Sequence, residues 1–592
     1  MTGPCFFEQN MLALSRRNPE LCARLKIARP EAAGTEAGSY RFLKTASGET
    51  VPALVDGSGI ARPLHSTVNP KREAERLVSG TMGGDEAGTV VFLGLGAGFA
   101  PLAALDLPVI SGVLVIDYGI DAIAGLFRSC DYTGLLDDPR FTLLVDSSPA
   151  FVENAIPDLY RPAISGGIRV LPLRARTEQD KAKFGAASEA VRNGIEKVSA
   201  DYSVQAHFGK RWFSNIIRNI IAIQNQAWNR NPVPGLEPGR EVAICAAGPS
   251  LDTQVPLLIE RMGEGGGCFV ISTDTALPAL MHHGLKPDAV VSIDCQHISY
   301  YHFMGSACRG VPLFLDIASP PMLSALSGVP LFFSGGHPLA MYLGLKWMRL
   351  PVLDTSGGNV AFACLSLAES LGAGRITVCG ADFSYPAGRI YARGTYVFPY
   401  FERLQNRLST LEAQVSAFLF RSPFVPPETP PPPVGCRYET VTMRSYRHSF
   451  GQKMSELEAQ VSVMPGLGIP VSGPSCIGRA GDGSKPRPTA FTTGKPMIKA
   501  GEFLEGYMRD IEALPPLGKG REAGAYMQNL DAGAGQVFTT LLPQMAALKR
   551  RQPELPHSEL LDVVKRYCVD EIGRVLNADA ALQRCPGLES PF

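Results

Sequence analysis

Residues 241–294 decide the fold, and they read EVAICAAGPSLDTQVPLLIERMGEGGGCFVISTDTALPALMHHGLKPDAVVSID. The apolar run Val242–Ala246 enters a turn formed by Gly248, Pro249 and Ser250, and an amphipathic segment follows. Gly248 permits a tight turn and Ser250 is a good N-cap, so the pattern predicts a strand, a turn and a helix. Backbone N–H groups at such a helix start can bind an anion, which indicates a phosphate-bearing ligand. The alternative is an ordinary connection, because many turns share this short pattern.

Two further apolar runs each end near a carboxylate. Cys268–Ser272 is followed by Asp274, and Ala289–Ile293 is followed by Asp294. Ligands of parallel sheets bind at the carboxyl ends of the strands, so these side chains are candidates to contact a ribose hydroxyl, a sugar or a metal. Capping and turn formation is the alternative role, and it explains the Thr-Asp-Thr sequence at Asp274 well.

Strands alternating with helical stretches continue to residue 383 and favour an α/β fold, a doubly wound parallel sheet. The predicted strands are Val242–Ala246, Cys268–Ser272, Ala289–Ile293, Val311–Asp316, Val329–Ser334 and Arg375–Cys379. A second glycine turn, formed by Ser356, Gly357, Gly358 and Asn359, opens the helical run Val360–Leu371. Two glycine turns at helix starts in one sheet indicate an anion site more specifically than one does.

An earlier α/β unit begins with the strand Thr89–Leu93, the turn Gly94–Gly98 and the helix start Phe99–Leu105. The next strand, Gly112–Ile116, ends at Asp117. This is a Rossmann-like opening with an acidic residue about 20 positions after the glycines, which would suit a dinucleotide or S-adenosylmethionine. The spacing is GxGxG rather than GxGxxG, and a close packing turn that binds nothing is the alternative.

The sequence therefore predicts a Rossmann-like N-terminal domain, a helical connector, a central α/β domain and a helical C-terminal domain. Their ranges are 1–175, 176–235, 236–480 and 496–592. Within the third range we expect helices over Tyr400–Phe420 and Tyr446–Val461. The proline-rich stretch 422–435 cannot pack as a helix or a central strand, and it is a solvated insertion or an SH3-type ligand. Residues 477–495 resemble a linker.

Composition restricts the class of protein. Lys and Arg number 56, as do Asp and Glu, so the zero net charge gives no general attraction to a nucleic-acid polymer or an anionic membrane. The 13 Cys contain no CxxC pair, and zinc-ribbon spacing is absent. We find no signal-peptide pattern and no apolar stretch of transmembrane length. We therefore expect a cytoplasmic protein without a transmembrane segment.

Residues for acid–base chemistry are harder to assign. His297, His302 and His337 lie in predicted loops beside strand ends, and any of them could accept a proton from a hydroxyl. Asp294 is followed by Cys295 and Gln296, which are poor ligands for a hard cation, and this argues against a magnesium-dependent mechanism. The catalytic base stays unassigned, and no metal site is predicted.

Several segments resemble one known family, the motility accessory factors (Maf). They are LHSTVNPKREAERL at 64–77 with the GLGAG turn, AAGPSLD at 246–252, STDTALPALMHHGLKPDAVVSID at 272–294, SGGNVAFACLSLAESLGAGRI at 356–376, CGADFSY at 379–385 and TVTMRSYRHSFGQKM at 440–454. The resemblance covers most of the chain in the family's order. It implies an MptE-like central domain similar to bacterial sialyltransferases.

The resemblance also implies a function: a flagellin glycosyltransferase that moves a nonulosonic sugar, pseudaminic or legionaminic acid, from a CMP donor to Ser or Thr. No cofactor is expected beyond this donor substrate, and the partners are flagellin and the nucleotide sugar. The implied nucleotide-sugar-binding residues are Gly248, Pro249, Ser250, Asp274, Asp294, Gln296, Ser356, Gly357, Gly358, Asn359 and Asp382. Two alternatives stay open: a metal-dependent transferase like the archaeal pterin diphosphokinase, and a non-enzymatic, chaperone-like flagellin-binding protein.

Overall fold

The structure is a computed structural model of the 592-residue chain. It describes residues 6–28, 39–55, 57–82, 88–225, 235–237, 240–263, 267–304, 310–327, 329–426, 436–471, 491, 493–518, 526–527 and 529–584. The contacts between residues divide the chain into two units. The first unit is Met1–Gly209 with Asp510–Tyr567, and the second unit is Lys210–Arg509 with Cys568–Phe592.

The first unit contains two sheets. An antiparallel sheet is formed by β1 (Tyr40–Lys44), β2 (Thr50–Val55) and β3 (Ala61–Pro63). A parallel sheet of order β6-β5-β4-β7 is formed by β4 (Thr89–Leu93), β5 (Gly112–Asp117), β6 (Phe141–Val145) and β7 (Ile168–Pro172). The helices wholly within this unit are Phe7–Ser15, Pro19–Ile27, Pro70–Met82, Phe99–Leu105, Ile120–Ser129, Thr133–Leu136, Pro149–Leu159, Pro162–Ser165, Arg174–Thr177 and Ala532–Arg551.

The second unit is built on a seven-stranded parallel sheet. Its strands are β8 (Glu241–Cys245), β9 (Phe269–Thr273), β10 (Ala289–Ser292), β11 (Leu313–Asp316), β12 (Pro330–Phe333), β13 (Arg375–Cys379) and β16 (Gln460–Val463). Their order is β12-β11-β10-β9-β8-β13-β16. A two-stranded antiparallel pair, β14 (Tyr385–Pro386) and β15 (Arg437–Tyr438), lies outside this sheet.

Helices complete the second unit. Those wholly within it are Leu251–Gly263, Asp274–Ala276 and Pro321–Leu323 (both 3₁₀), Leu277–His282, Ser299–Phe303, Ser324–Ser327, Pro338–Lys346, Val360–Ser370, Val397–Leu404, Leu411–Leu419 and Val441–Glu456. Three helices contribute residues to both units: Lys181–Asn225, Ala500–Ala513 and His557–Arg584. The predicted domain limits stay predictions.

The central sheet has a switch point that positions the site. From β8 the chain adds β9, β10, β11 and β12 on one side, and then crosses to place β13 on the other side of β8. Ligands of doubly wound sheets bind outside the carboxyl ends of the strands at such a point. The strands are apolar and buried, and helix Val360–Ser370 buries eight of its 11 residues against them. The loops after β8 and β13 are therefore held on a rigid core.

The predicted α/β class is confirmed, and the six predicted strands of the central sheet are present within two residues of their predicted starts. Two predicted helices are wrong in part. The helix expected over Tyr400–Phe420 is two helices, because the Asn406 carboxamide accepts hydrogen bonds from the N–H groups of Leu408 and Ser409 and forms a turn. The helix expected over Tyr446–Val461 ends at Glu456, and β16 follows as an edge strand beside β13.

The predicted helical connector is a long helix, Lys181–Asn225, and its last part belongs to the second unit. The buried Asn215 carboxamide donates to the carbonyls of Cys295 (3.0 Å) and Ala318 (2.8 Å). That of Asn219 donates to the carbonyls of Ile317 and Ser319, both at 2.8 Å. The helix therefore fixes the loops that follow β10 and β11.

Two predicted segments lie largely outside the described residues: positions 427–435 of the proline-rich stretch, and positions 472–490 and 492 at the predicted linker. The helices of the predicted C-terminal region are present over Ala500–Ala513, Ala532–Arg551 and His557–Arg584. None of the helices in the described ranges combines the length and apolar composition that a bilayer span requires.

Candidate functional site

A cavity of about 390 Å³ lies at the switch point of the central sheet. Its wall includes the backbone after β8 (Ala246–Gly248) and the segment after β13 (Gly380–Tyr385). Tyr391, Arg421 and Tyr446 line the rest of the cavity with several apolar side chains. A concave, mostly apolar cavity with a few polar groups at this point of an α/β sheet is the usual form of a ligand site.

The turn after β8 is closed by a carboxylate of the protein itself. Asp382, which follows β13, accepts a hydrogen bond from the Ser250 N–H (2.8 Å) and another from the Ser250 hydroxyl. The Gly248 N–H donates to the Gly380 carbonyl at 2.9 Å. The anion at this helix N-terminus is therefore Asp382, and the turn does not present the free N–H groups that the sequence suggested.

Gly248 is required for this packing. A Cβ atom there would meet the Asp382 carboxylate and the Gly380 carbonyl oxygen. The loop after β8 and the loop after β13 thus pack so closely at Gly248 that no side chain fits there. Gly248 lines the cavity, and Pro249 and Ser250 follow it in the turn. The contact of these three residues with a nucleotide sugar stays a prediction.

The second glycine turn differs from the first. The Asn359 side chain caps helix Val360–Ser370 by accepting from the Phe362 N–H at 3.0 Å. Among the described residues, the N–H groups of Val360 and Ala361 have no hydrogen-bond partner, and Ala361 lines the cavity. These two donors, at the positive end of a helix dipole, can therefore bind an anion in the cavity.

The glycines of this turn approach aromatic rings. Gly358 has φ +69°, and a Cβ there would lie 3.1 Å from the ring of Tyr446, which lines the cavity. A Cβ on Gly357 would meet the Phe362 ring. The Ser356 N–H donates to Asp354 at 3.0 Å. This close packing places the start of helix Val360–Ser370 at the cavity wall.

Asp274, after β9, forms a buried pair with His302. The Nδ1 atom of His302 lies 3.4 Å from Oδ1 of Asp274, and the other carboxylate oxygen accepts from the Ser292 hydroxyl at 2.7 Å. Burial opposes ionisation of Asp274, but the His302 ring and the hydrogen bonds hold its pKa below the ordinary value. A charged carboxylate that orients an imidazole through Nδ1 leaves Nε2 to exchange a proton with a substrate.

Asp294, after β10, has a different environment. Its carboxylate accepts from the Gln296 N–H at 2.9 Å. Burial raises its pKa, the Gln296 N–H lowers it, and the charge of Asp274 raises it further. Burial and then the charge of Asp294 raise the pKa of Tyr446 on the cavity wall. The charge of Asp274 therefore acts on Asp294, and the charge of Asp294 acts on Tyr446 of the cavity wall.

The structure separates the three candidate histidines. His297 is exposed. His337 caps helix Pro338–Lys346 by accepting from the Leu339 N–H (3.1 Å), and burial lowers its pKa to about 3. His302 is buried, paired with Asp274, and its ring lies 4.7 Å from that of Tyr396. Of the three, only His302 has a carboxylate partner within the described ranges, and the charge of that partner, Asp274, acts on Tyr391, which lines the cavity.

The N-terminal glycine turn is occupied by side chains of the first unit. Asp117 accepts from the Leu95 N–H at 2.7 Å and pairs with Arg176 at 3.0 Å. His65 Nε2 accepts from the Ala97 N–H at 2.9 Å, and a Cβ on Gly96 would meet the His65 ring. The acidic residue that would bind a ribose is thus already paired, which favours a packing turn over a dinucleotide pocket.

Sequence reasoning missed the aromatic and basic groups of the site. Tyr391 and Tyr396 precede the first of the two predicted helices, Tyr446 begins the second, and Arg421 lies at the edge of the proline-rich stretch. The Arg421 guanidinium lies 4.0 Å from the centre of the Phe418 ring. A separated Tyr or Arg carries no local motif, so only the fold brings these side chains together.

The sequence predicts no metal site, and this stays a prediction. Among the described residues, no three His, Cys, Asp or Glu side chains cluster closely enough to hold a metal ion.

One protein-family model and one solved structure are similar to this chain. A model of the family "6-hydroxymethylpterin diphosphokinase MptE-like" matches residues 214–388. A solved structure of a Maf glycosyltransferase from Magnetospirillum magneticum AMB-1 is similar over 99% of this chain and 97% of that one, with a TM-score of 0.60 and 13% identity. This likeness establishes the fold. The predicted resemblance to Maf proteins with an MptE-like domain is confirmed.

Relatives in Treponema pallidum (strain Nichols) match shorter parts. One uncharacterized protein is 39% identical over 155 residues, 26% of this chain and 54% of the relative, so the chain spans about half the length of that relative. A second uncharacterized protein is 30% identical over 174 residues, 29% of this chain and 78% of the relative. The chain therefore belongs to the same family as this second Treponema protein, and it has the Maf glycosyltransferase fold with an MptE-like domain.

Proposed function

We propose that the protein is a glycosyltransferase that moves a nonulosonic sugar from a CMP donor to a serine or threonine hydroxyl of flagellin. The observation that carries this proposal is the Asp274–His302 pair, whose carboxylate charge acts on Tyr391 of the cavity at the switch point of a Maf-like fold. An oriented imidazole suits removal of a proton from a hydroxyl nucleophile.

The cavity can hold the donor through its two anionic groups, the phosphodiester and the sugar carboxylate. The N–H groups of Ala361, which lines the cavity, and of its neighbour Val360 have no partner in the described part of the chain and suit one of these anions. Arg421, the one basic side chain among the described residues lining the cavity, suits the other. The rings of Tyr391 and Tyr446 offer apolar faces to the nucleoside or the sugar ring.

The chemical step needs a base and a leaving group. The acceptor oxygen attacks the anomeric carbon, the bond from this carbon to the phosphate oxygen breaks, and CMP leaves with the electron pair. His302 takes the acceptor proton through Nε2, and Asp274 stabilises the imidazolium that forms. CMP is a reasonable leaving group, so the proposal needs no metal. Asp294 and Gln296 would contact the donor sugar or ribose.

Flagellin as acceptor and the cytoplasm as the place of the reaction are further parts of the proposal. Their support is the resemblance to Maf proteins, since flagellin would be modified before export. The test is capture of flagellin from lysate by the immobilised full-length chain, followed by mass spectrometry of flagellin after incubation with a CMP-activated nonulosonic acid. No sugar-mass increase on flagellin would contradict this acceptor.

Calorimetry separates this function from its alternatives. We expect the full-length protein to bind CMP without a metal, and not to bind ATP or S-adenosylmethionine. The description of the matched family favours one second candidate, a pterin diphosphokinase-like transferase. Binding of ATP with magnesium, or a tenfold loss of activity in EDTA that magnesium restores, would support that candidate. Binding of none of these ligands would support a non-enzymatic flagellin-binding protein.

A further inference from the structure

A second cleft, of about 330 Å³, lies in the first unit. One wall is the segment around Tyr160 and Arg161, between helices Pro149–Leu159 and Pro162–Ser165. The other wall is one face of the long helix, where Asp201, Tyr202 and Gln205 project at helical spacing. The volume is at the lower end of the roughly 300–1,000 Å³ of small-molecule sites, and it suits a ligand of monosaccharide size.

Two basic side chains line this cleft, Lys197 and Arg161. Lys197 is paired with Glu153, whereas Arg161 is half-buried and is the cation available to a ligand. Among the described residues, the Arg161 guanidinium has no hydrogen bond and no ion pair. Burial lowers its pKa, and the charge of Asp158 raises its pKa without direct contact. Most half-buried guanidinium groups are paired, because their five N–H donors are costly to leave unmatched. A planar fork of free donors beside a cleft suits a carboxylate or a phosphate.

The other groups of the cleft suit a hydroxylated ring. Gln205 donates to one oxygen of Asp201 at 2.6 Å, and the other oxygen of that carboxylate has no partner in the described part of the chain. The hydroxyl of Tyr202 is also free there, whereas that of Tyr160 donates to the Gly166 carbonyl at 3.0 Å. A free carboxylate oxygen accepts from sugar hydroxyls, and phenol rings pack on the apolar face of a sugar.

We propose that this cleft binds a small anionic sugar, with its acidic group on Arg161 and its hydroxyls on Asp201 and Tyr202. A sugar acid and a sugar phosphate share this chemistry. The cleft lies wholly in the first unit, and the proposal does not depend on glycosyl transfer at the central sheet.

Ligand-detected NMR on the full-length protein tests the proposal. The probes are N-acetylneuraminic acid, glucose 6-phosphate and, as the neutral control, glucose, all at millimolar concentration. We expect one or both acids to bind more tightly than glucose, and the one that binds identifies the acidic group. Arg161→Gln should weaken that binding about tenfold, since a hydrogen bond to a charged group is lost. Arg161→Lys should restore it only in part, because lysine lacks the planar fork.

Matched variants locate the site. Arg192→Gln removes an exposed arginine from the same long helix and should leave binding unchanged. Arg421→Gln alters the cavity of the central sheet and should also leave it unchanged, which separates this cleft from the proposed donor site. Tyr202→Ala should weaken binding even if Arg161→Gln proves unstable. Equal binding of glucose, no binding of either acid, or binding that Arg161→Gln and Tyr202→Ala leave intact would overturn the proposal.

Discussion

At the scale of single residues, the site depends on carboxylates in different environments. Asp274 is kept charged by His302 and by hydrogen bonds, Asp294 is made harder to ionise by burial, and Asp382 fills the helix start at Ser250. All three follow strands of one parallel sheet, yet each has a separate role. The difference arises from their partners, because burial alone raises the pKa of every carboxyl group.

The role of His302 gives the first prediction, which rests on the proposed transfer reaction. His302→Ala should lower turnover by about 10²–10⁴-fold, the usual contribution of a general base. Donor affinity should change little, because His302 would contact the acceptor. Asp274→Asn should lower turnover less, since the imidazole stays but loses the charge that orients it. His297→Ala is the matched control, because His297 is exposed. Normal turnover in His302→Ala, with the fold intact, would remove this residue from the mechanism.

Asp316, after β11, gives a prediction about pH. Burial raises its pKa to about 6, although the N–H groups of Ala318 and Gly335 partly oppose this. A carboxyl group with a raised pKa in the folded state stabilises the fold below its unfolded pKa, about 3.9, and loses this contribution as pH rises through the folded value. The melting temperature of the wild type minus that of Asp316→Asn should therefore fall between about pH 4 and pH 6.

Above about pH 6, the difference in melting temperature between the wild type and Asp316→Asn should stay constant. The asparagine can still accept from the Ala318 N–H, which donates at 2.8 Å in the wild type, so the comparison changes mainly the charge. A difference in melting temperature that does not vary with pH would show that Asp316 ionises normally.

At the scale of elements, the segment Met464–Ile469 is held across the ends of β8 and β13. The Leu467 N–H donates to the Ser250 hydroxyl at 2.7 Å, and the Gly468 N–H donates to the Asp382 carboxylate at 2.9 Å. A Cβ on Gly468 would collide with the Asp382 backbone. Asp382 therefore joins two loops and this segment in one network.

Hydrogen exchange tests that network. Asp382→Ala should accelerate exchange of the Leu467 and Gly468 amides by roughly tenfold or more, given the about 1.5–3 kcal/mol typical of a hydrogen bond to a charged group. Asp354→Ala is the control, because the Asp354 carboxylate lies on the surface, where it caps a nearby turn and pairs with Lys453 at 3.7 Å, away from this network. Unchanged exchange in Asp382→Ala would mean that the segment is held by its other contacts.

At the scale of the whole molecule, the second unit needs residues far outside its own sheet. Asn215 and Asn219 of the long helix bind four loop carbonyls, and Ile216, Ile217 and Ile220 are fully buried. Each such apolar side chain contributes about 1.5–3 kcal/mol when buried. The carbonyl of Cys295, next to Asp294, is one of the groups held, so the helix also positions the candidate site.

This arrangement predicts how fragments behave. A fragment of residues 236–480, the central domain expected from the sequence, should melt at a lower temperature than a fragment of residues 210–480 or aggregate outright. In the longer fragment, Asn219→Ala should lower the melting temperature, because the carbonyls of Ile317 and Ser319 lose their donor. Equal melting of the two fragments would show that the long helix is dispensable.

The sequence by itself determined the alternation of apolar runs and turns, and hence the parallel sheet and the family resemblance. Strand-end carboxylates such as Asp274 and Asp294 were visible because strand ends are local features. Only the tertiary structure decided which groups meet: Asp382 with Ser250, His302 with Asp274, and Asp117 with Arg176. These partners are 132, 28 and 59 positions apart. Their pairing depends on strand order and on loops that carry no periodic pattern, so a free helix start and one already occupied by a carboxylate have the same local sequence.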